Sequence, residues 1–226
     1  MRASDALTGA LAGALCGNLV RLSFGAAGGM FQRAGIDISM IEAAVAPTAK
    51  VLAAARSSGM SVIYLKMGFH PDLSDAGVPD SPNRLKHMGL GGIGTTVPTP
   101  TGAAGRILIR DTWNTDILPA LAPAPADVVV YKHRFSGFFN TRLDAILKKR
   151  GIQSLIITGC TTSVCVESTI RDAMCRDYSC VLLEDCTAEP IGHDLPRSNH
   201  DASLLLIERL FGWVSRSGAM LSAMAS

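Results

Sequence analysis

The stretch Ser154-Leu155-Ile156-Ile157-Thr158-Gly159-Cys160-Thr161-Thr162-Ser163-Val164-Cys165 decides how this chain folds. Its first five residues are a short apolar run, the mark of a strand covered on both faces. Gly159 and the polar residues after it form a tight turn. From Val164 to about Arg176 the spacing predicts a helix. A cysteine therefore stands where a buried strand hands over to a helix.

The same alternation continues in both directions. Upstream, Asp127-Val128-Val129-Val130-Tyr131 predicts a strand, and about 140–150 a helix capped by Asn140 or Thr141. Further upstream, 41–58 predicts an Ala-rich helix stopped by Gly59, with Pro47 as a kink or the true start. Ser61-Val62-Ile63-Tyr64-Leu65 follows it as a strand. Downstream come the strand Cys180-Val181-Leu182-Leu183-Glu184 and a helix over roughly 198–213. Residues 67–105, full of Gly, Pro, Ser and Asp, read as one long functional loop. Strands alternating with helices predict an α/β fold, a three-layer αβα sandwich around a mainly parallel sheet. In such sheets function collects at the C-terminal strand ends, here after Leu65, Tyr131, Thr158 and Glu184.

Composition narrows the class. The chain has 226 residues, 48% hydrophobic and 18% charged, which suits a globular domain with a sizeable core. A net charge of +2 without a basic run gives no nucleic-acid surface. Lys148-Lys149-Arg150 reads as cations favoured at a helix C-terminus. No run reaches the roughly 18 apolar residues of a membrane span. The six cysteines (16, 160, 165, 175, 180 and 186) contain no CxxC pair or Cys/His spacing that suits zinc, and a chain with this much core needs no disulfide framework. That usage predicts a reducing, cytoplasmic setting. The Ala, Leu and Gly run in Met1–Gly17 faintly resembles a signal peptide, but Asp5 and the scattered glycines speak against one.

Chemistry points to Cys165. Unpaired N–H groups and the helix dipole stabilise a thiolate at a helix N-terminus. The same N–H groups can hold an oxyanion during acyl transfer. Taken alone, the position suits a buried structural cysteine equally well; Cys175, Cys180 and Cys186 read as structural. Lys132 ends the 127–131 strand and faces the same sheet edge, where a cation can hold a thiolate or polarise a carbonyl. In isolation it reads more readily as a solvated loop lysine. His70 and Asp72 lack metal-ligand spacing, so no metal is expected. His87, His133, His193 and His200 read as surface or loop residues.

Together these segments resemble the isochorismatase-like cysteine hydrolases. The matching residues are Val129-Val130-Tyr131-Lys132, Ser136-Gly137-Phe138-Phe139-Asn140-Thr141, Thr158-Gly159-Cys160-Thr161-Thr162-Ser163-Val164-Cys165-Val166-Glu167-Ser168-Thr169 and Leu183-Glu184-Asp185. The likeness runs from about Phe24 to Trp213. Within the family, Ser81-Pro82-Asn83 and Phe211-Gly212-Trp213-Val214-Ser215 look most like the ureidoacrylate amidohydrolases. His70-Pro71-Asp72-Leu73 is similar to biuret and N-carbamoylsarcosine hydrolases.

The resemblance implies hydrolysis of a C–N bond in a small ureido, carbamoyl or amide compound through a thioester on Cys165. It implies Lys132 as the partner of the sulfur, and an oxyanion hole from the N–H groups of Thr161 and Cys165. A cis peptide between Cys160 and Thr161 would aim the first of these. Phe24, His70, Asn83, Trp113 and Phe138 would meet the substrate. No cofactor is implied, and the assembly would be a homo-oligomer, tetramer or dimer.

One expected residue is missing. The family's acid–base Asp should fall at Leu19, in Asn18-Leu19-Val20-Arg21-Leu22-Ser23-Phe24. Residues 1–23 therefore read as an atypical segment in place of the family's first strand, and 24–226 as the hydrolase domain. The abrupt return of the match at Phe24 reads as a shifted or misread start. General acid–base catalysis contributes about 10²–10⁴-fold, so the chain as written is expected to hydrolyse poorly. Asp72 and Asp185 are candidate substitutes. The alternative is a non-catalytic member of the fold that binds small ligands.

Overall fold

The computed structural model of the protein describes residues 3–18, 29–99 and 101–225. The elements that build the sheet are β1 (Ala14–Asn18), β2 (Ser61–Met67), β5 (Val128–Lys132), β6 (Ser154–Cys160), β7 (Ser179–Ala188) and β8 (Trp213–Ser215). They form one six-stranded sheet in the order β5-β2-β1-β6-β7-β8, parallel at each pairing. A small antiparallel pair, β3 (Thr96–Pro98) and β4 (Ala104–Arg106), stands apart. The helices are α1 (Ala3–Ala10), α2 (Met30–Arg33), α3 (Ser39–Ser57), α4 (Pro82–Gly91), α5 (Leu143–Lys149), α6 (Glu167–Met174), α7 (Asn199–Leu206) and α8 (Ser217–Ala225).

Side chains alternate between two cores because successive strand residues face opposite ways. Leu15, Val62, Tyr64, Ile156, Val181 and Leu183 pack with α1, α3 and α8 residues such as Leu7, Val51, Leu52 and Met220. Ala14, Cys16, Ile63, Leu65, Leu155, Ile157, Cys180 and Leu182 pack on the other face with Leu143, Leu147, Ile170 and Ala173 of α5 and α6. Both faces are covered, as the continuous apolar runs require, and the three layers follow.

The structure extends several expectations. Helix 41–58 begins two residues earlier, where Asp37 accepts bonds from the backbone N–H and the hydroxyl of Ser39, and Pro47 lies inside it. The residue that caps α5 is Arg142, not Asn140 or Thr141, and Thr141 just before it accepts from Leu143 N through its Oγ1 at 3.2 Å. The loop expected over 67–105 contains α4 and β3. Ser81 caps α4 by accepting from Arg84 N, Pro82 occupies its first turn, and Gly92 stops it at φ +64°. The helix expected from Val164 is preceded by a π-helical turn, Thr162–Val166. The final helix ends earlier than 213, in a second π-helical turn, and β8 and α8 follow.

Residues 1–23 contribute to the sheet in their described part. Ala14–Asn18 pairs with β2 on one side and β6 on the other. Leu19 and Phe24 lie outside the described residues.

Candidate active site

Strand order places the site. β1 leads outward to β2 and β5 on one side and to β6 and β7 on the other, so the connections diverge at the centre of the sheet. A crevice forms there at the C-terminal strand ends. β5 delivers Lys132 as its last residue, and β6 delivers Cys160 and the turn that carries Cys165.

Lys132 and Cys165 meet. Lys132 Nζ donates to Cys165 Sγ at 3.3 Å, although the two residues are 33 apart in sequence. Lys132 is 1% exposed and Cys165 6%. A buried ammonium needs acceptors, and Nζ also donates to the carbonyls of Arg134 (3.1 Å) and Phe135 (2.7 Å). The charge is thus held in a fixed fan of acceptors with the sulfur as one member. Lys132 is no solvated loop residue.

The turn that carries Cys165 is tied down at nearly every residue. The Cys160–Thr161 peptide is cis. Gly159 sits at φ +104°, a conformation that favours glycine, where the β6–β7 register shifts. Val164 N and Val166 N both donate to Thr161 O. Cys165 O accepts from Thr169 Oγ1 at 2.6 Å, and Thr169 Oγ1 accepts from Gly137 N at 3.0 Å. A Cβ on Gly137 would sit 2.5 Å from Leu65 Cδ1, so any other residue there would have to displace that side chain. Thr162 Oγ1 bonds His200 Nδ1 at 2.9 Å, and burial lowers the pKa of that imidazole. Ser163 N and Oγ both donate to Glu189, a fully buried carboxylate just after β7.

A cavity of about 140 Å³ opens onto Cys165. Its walls are mostly apolar: Met30, Phe31, Leu90, Phe135, Val164 and Ile191, with Lys86, His87 and Thr161 as the polar members. His87 is buried between Phe69 and Phe135, and its Nδ1 lies 2.6 Å from Asn83 O. A carbonyl accepts only, so Nδ1 carries the proton.

The other expected contacts lie elsewhere. Phe138 packs in the core beneath α5 and α6, with its ring 5.7 Å from Tyr178. His70 is half exposed and bonds Arg110 beside Asp75, away from the cavity. Asn83 spends its amide on Ala76 O and its carbonyl on His87, so it positions rather than lines. Trp113 packs against the core below β4. Asp72 is exposed and bonds Ser74 N, while Asp185 bonds Ser217 at the start of α8, so neither replaces the carboxylate expected at Leu19. His87 and His200, read as surface residues, are both built into the site. Among the described residues no cluster of His, Cys, Asp and Glu could hold a metal, and no helix is long and apolar enough to cross a membrane.

The remaining thiols differ from Cys165 in setting. Cys16 and Cys186 are buried, and burial pushes both up to about 12. Cys180 is raised by the same cause, and Cys175 is exposed.

The fold is a parallel α/β sandwich with a buried lysine–cysteine pair at the C-terminal edge of its sheet. The isochorismatase domain matches residues 28–218, and the chain belongs to that family. It is 39% identical over 205 residues to ureidoacrylate amidohydrolase RutB of Methylobacterium radiotolerans, covering 91% of this chain and 76% of that one. It is 41% identical over 189 residues to the protein of the same name from Agrobacterium fabrum, covering 83% and 79%. Among solved structures, a cysteine hydrolase from Pseudomonas syringae pv. phaseolicola superposes with a TM-score of 0.75 at 28% identity, covering 95% of this chain and 93% of that one. N-carbamoylsarcosine amidase from Thermoplasma acidophilum shares the fold, with a TM-score of 0.66 at 24% identity, covering 90% and 95%.

Proposed function

We propose that the chain is a cysteine-dependent amidohydrolase acting on small ureido or carbamoyl compounds, ureidoacrylate first among them. The observation that carries this reading is the buried Lys132 ammonium 3.3 Å from the Cys165 sulfur at the mouth of a cavity. The names of the relatives at about 40% identity give the amide chemistry.

In this reading the Cys165 thiolate, held by Lys132, attacks the amide carbon. The C=O electrons move onto oxygen, and the N–H groups of Thr161 and Cys165 receive the charge. The carbonyl re-forms, the C–N bond breaks, and the nitrogen leaves with a proton. Water then attacks the thioester, the C–S bond breaks, and the sulfur is returned. Protonation of the leaving nitrogen is the step an Asp at position 19 would serve. With Leu19 there, amide turnover is slow, while acyl transfer from a substrate with a good leaving group survives. A homo-oligomer in a reducing, cytoplasmic setting belongs to the same reading, and the six free cysteines support that setting.

Ammonia release from ureidoacrylate, biuret and simple amides tests this. Slow release that disappears in Cys165→Ala is expected. Release unaffected by that substitution would overturn the reading. Saturable ligand binding with neither release nor acylation would favour the non-catalytic binder.

A further inference from the structure

Two walls of the cavity hang from a single side chain. Glu189 directly follows β7 and is 0% exposed. Its Oε2 accepts from Ser163 N at 3.0 Å and from Ser163 Oγ at 2.5 Å. Its Oε1 accepts from Ile191 N at 3.2 Å, and the Thr161 side chain is near enough to favour the charged carboxylate. Thr161 carries one donor of the oxyanion hole, and Ile191 lines the cavity across from it.

Burying a carboxylate is costly unless donors satisfy it. Desolvation raises the Glu189 pKa, and the bonds from Ser163 and Ile191, with the Thr161 side chain nearby, oppose that rise. Among the described residues its hydrogen-bond donors belong to the 161–165 turn or to Ile191. Charge-assisted bonds are shorter and stronger than neutral ones, and they fix orientation. The bond to Ser163 N sets the peptide plane between residues 162 and 163, midway between the donors at 161 and 165. A shift of about 1 Å in such donors can cost about a hundredfold in rate.

We propose that Glu189 is a positioning residue for acyl transfer: its buried carboxylate holds the 161–165 turn so that the N–H groups of Thr161 and Cys165 converge on the developing oxyanion, and holds Ile191 against the same cavity. This rests on Cys165 as the nucleophile. The test separates oxyanion chemistry from thiol reactivity. 4-Nitrophenyl acetate acylates the sulfur through a tetrahedral oxyanion and releases nitrophenolate. Iodoacetamide alkylates the sulfur by direct displacement of iodide and forms no oxyanion. Both reactions are read at Cys165 by peptide mass mapping, because Cys175 is exposed and reacts as well.

In Glu189→Ala, acylation falls about a hundredfold while alkylation stays within about twofold of the parent protein. In Glu189→Gln, one oxygen still serves Ser163 but the amide NH₂ opposes Ile191 N–H, and acylation falls about tenfold. Circular dichroism and melting establish that each variant is folded. Should Glu189→Ala fail to fold, Glu189→Gln and Ser163→Ala carry the test through the same split. Acylation and alkylation falling by the same factor, or neither falling in a folded variant, would overturn the proposal. A parent protein whose Cys165 neither acylates nor alkylates would instead remove the nucleophile assignment beneath it.

Discussion

The strand ends that carry Lys132 and Cys165 and the segment between β2 and β5 were built by different means. Lys132 ends the apolar run of β5 and Cys165 lies in the turn that follows β6, so the two strands position both backbones. The segment between β2 and β5 has no such run. It enters the site through α4, which is held by its Ser81 cap, by Asn83 and by a histidine wedged between two phenylalanines. The first region supplies reactive groups on a rigid edge; the second supplies the wall that a substrate would touch. Substitutions in the first should change the rate of bond making. Substitutions in the second should change binding.

The largest effect belongs to the sulfur. Cys165→Ala should reduce acylation by 4-nitrophenyl acetate to the background rate, measured by stopped-flow absorbance. Next is Lys132→Met, which keeps the buried stem and removes the charge. The loss of a charged hydrogen bond to the sulfur predicts a fall of about tenfold to a hundredfold in acylation. The carbonyls of Arg134 and Phe135 lose their donor, so the variant should be less stable, and circular dichroism establishes that it is folded before rates are compared. An unchanged rate would show that the 3.3 Å contact is structural only.

On the other side of the comparison, His87→Ala should raise KM for an amide substrate several-fold and leave kcat within about threefold, since it widens the cavity without touching the sulfur. A collapse in kcat with KM unchanged would place His87 among the reacting groups and erase the contrast. Phe138→Ala tests the boundary between site and core. It should destabilise the fold by about 3–5 kcal/mol in urea titration, with the kinetics of the folded fraction unaltered. A changed KM would return Phe138 to the substrate wall.

The smallest effect concerns pH. His200 is held below its usual 6.5 by burial. The unfolded chain therefore takes up this proton first as pH falls. The stability that neutral His200 contributes is present above about pH 6.5 and lost as pH drops toward its folded value. His200→Gln should flatten that acid-side decline in melting temperature between pH 7 and 5. An unchanged decline would assign it to other groups.

Much of the first region was legible in sequence, and the reason is physical. β-branched and apolar runs such as Leu155-Ile156-Ile157 fit one environment, a strand buried on both sides. β1 was not legible by the same rule. Ala14-Leu15-Cys16-Gly17-Asn18 has little strand propensity of its own, and it is a strand because β2 and β6 supply partners on both sides. α4 had a signal, Ser81-Pro82 at its start and Gly92 at its end, but its glycines and short length hid the periodicity. Glu189 and His200 had none. Their roles depend on β7 running four residues past Glu184 and on α7 packing beside the turn that carries Cys165, both long-range facts.

The central claim is that Cys165 forms the covalent intermediate. Acid-quenched reaction with 4-nitrophenyl acetate, followed by peptide mass mapping, measures it directly. The account predicts one acetyl group on Cys165 within the first turnover, with far slower acetylation in Lys132→Met and none at residue 165 in Cys165→Ala. Nitrophenolate release at an undiminished rate in Cys165→Ala, with no adduct on Cys165 in the parent protein, would contradict it.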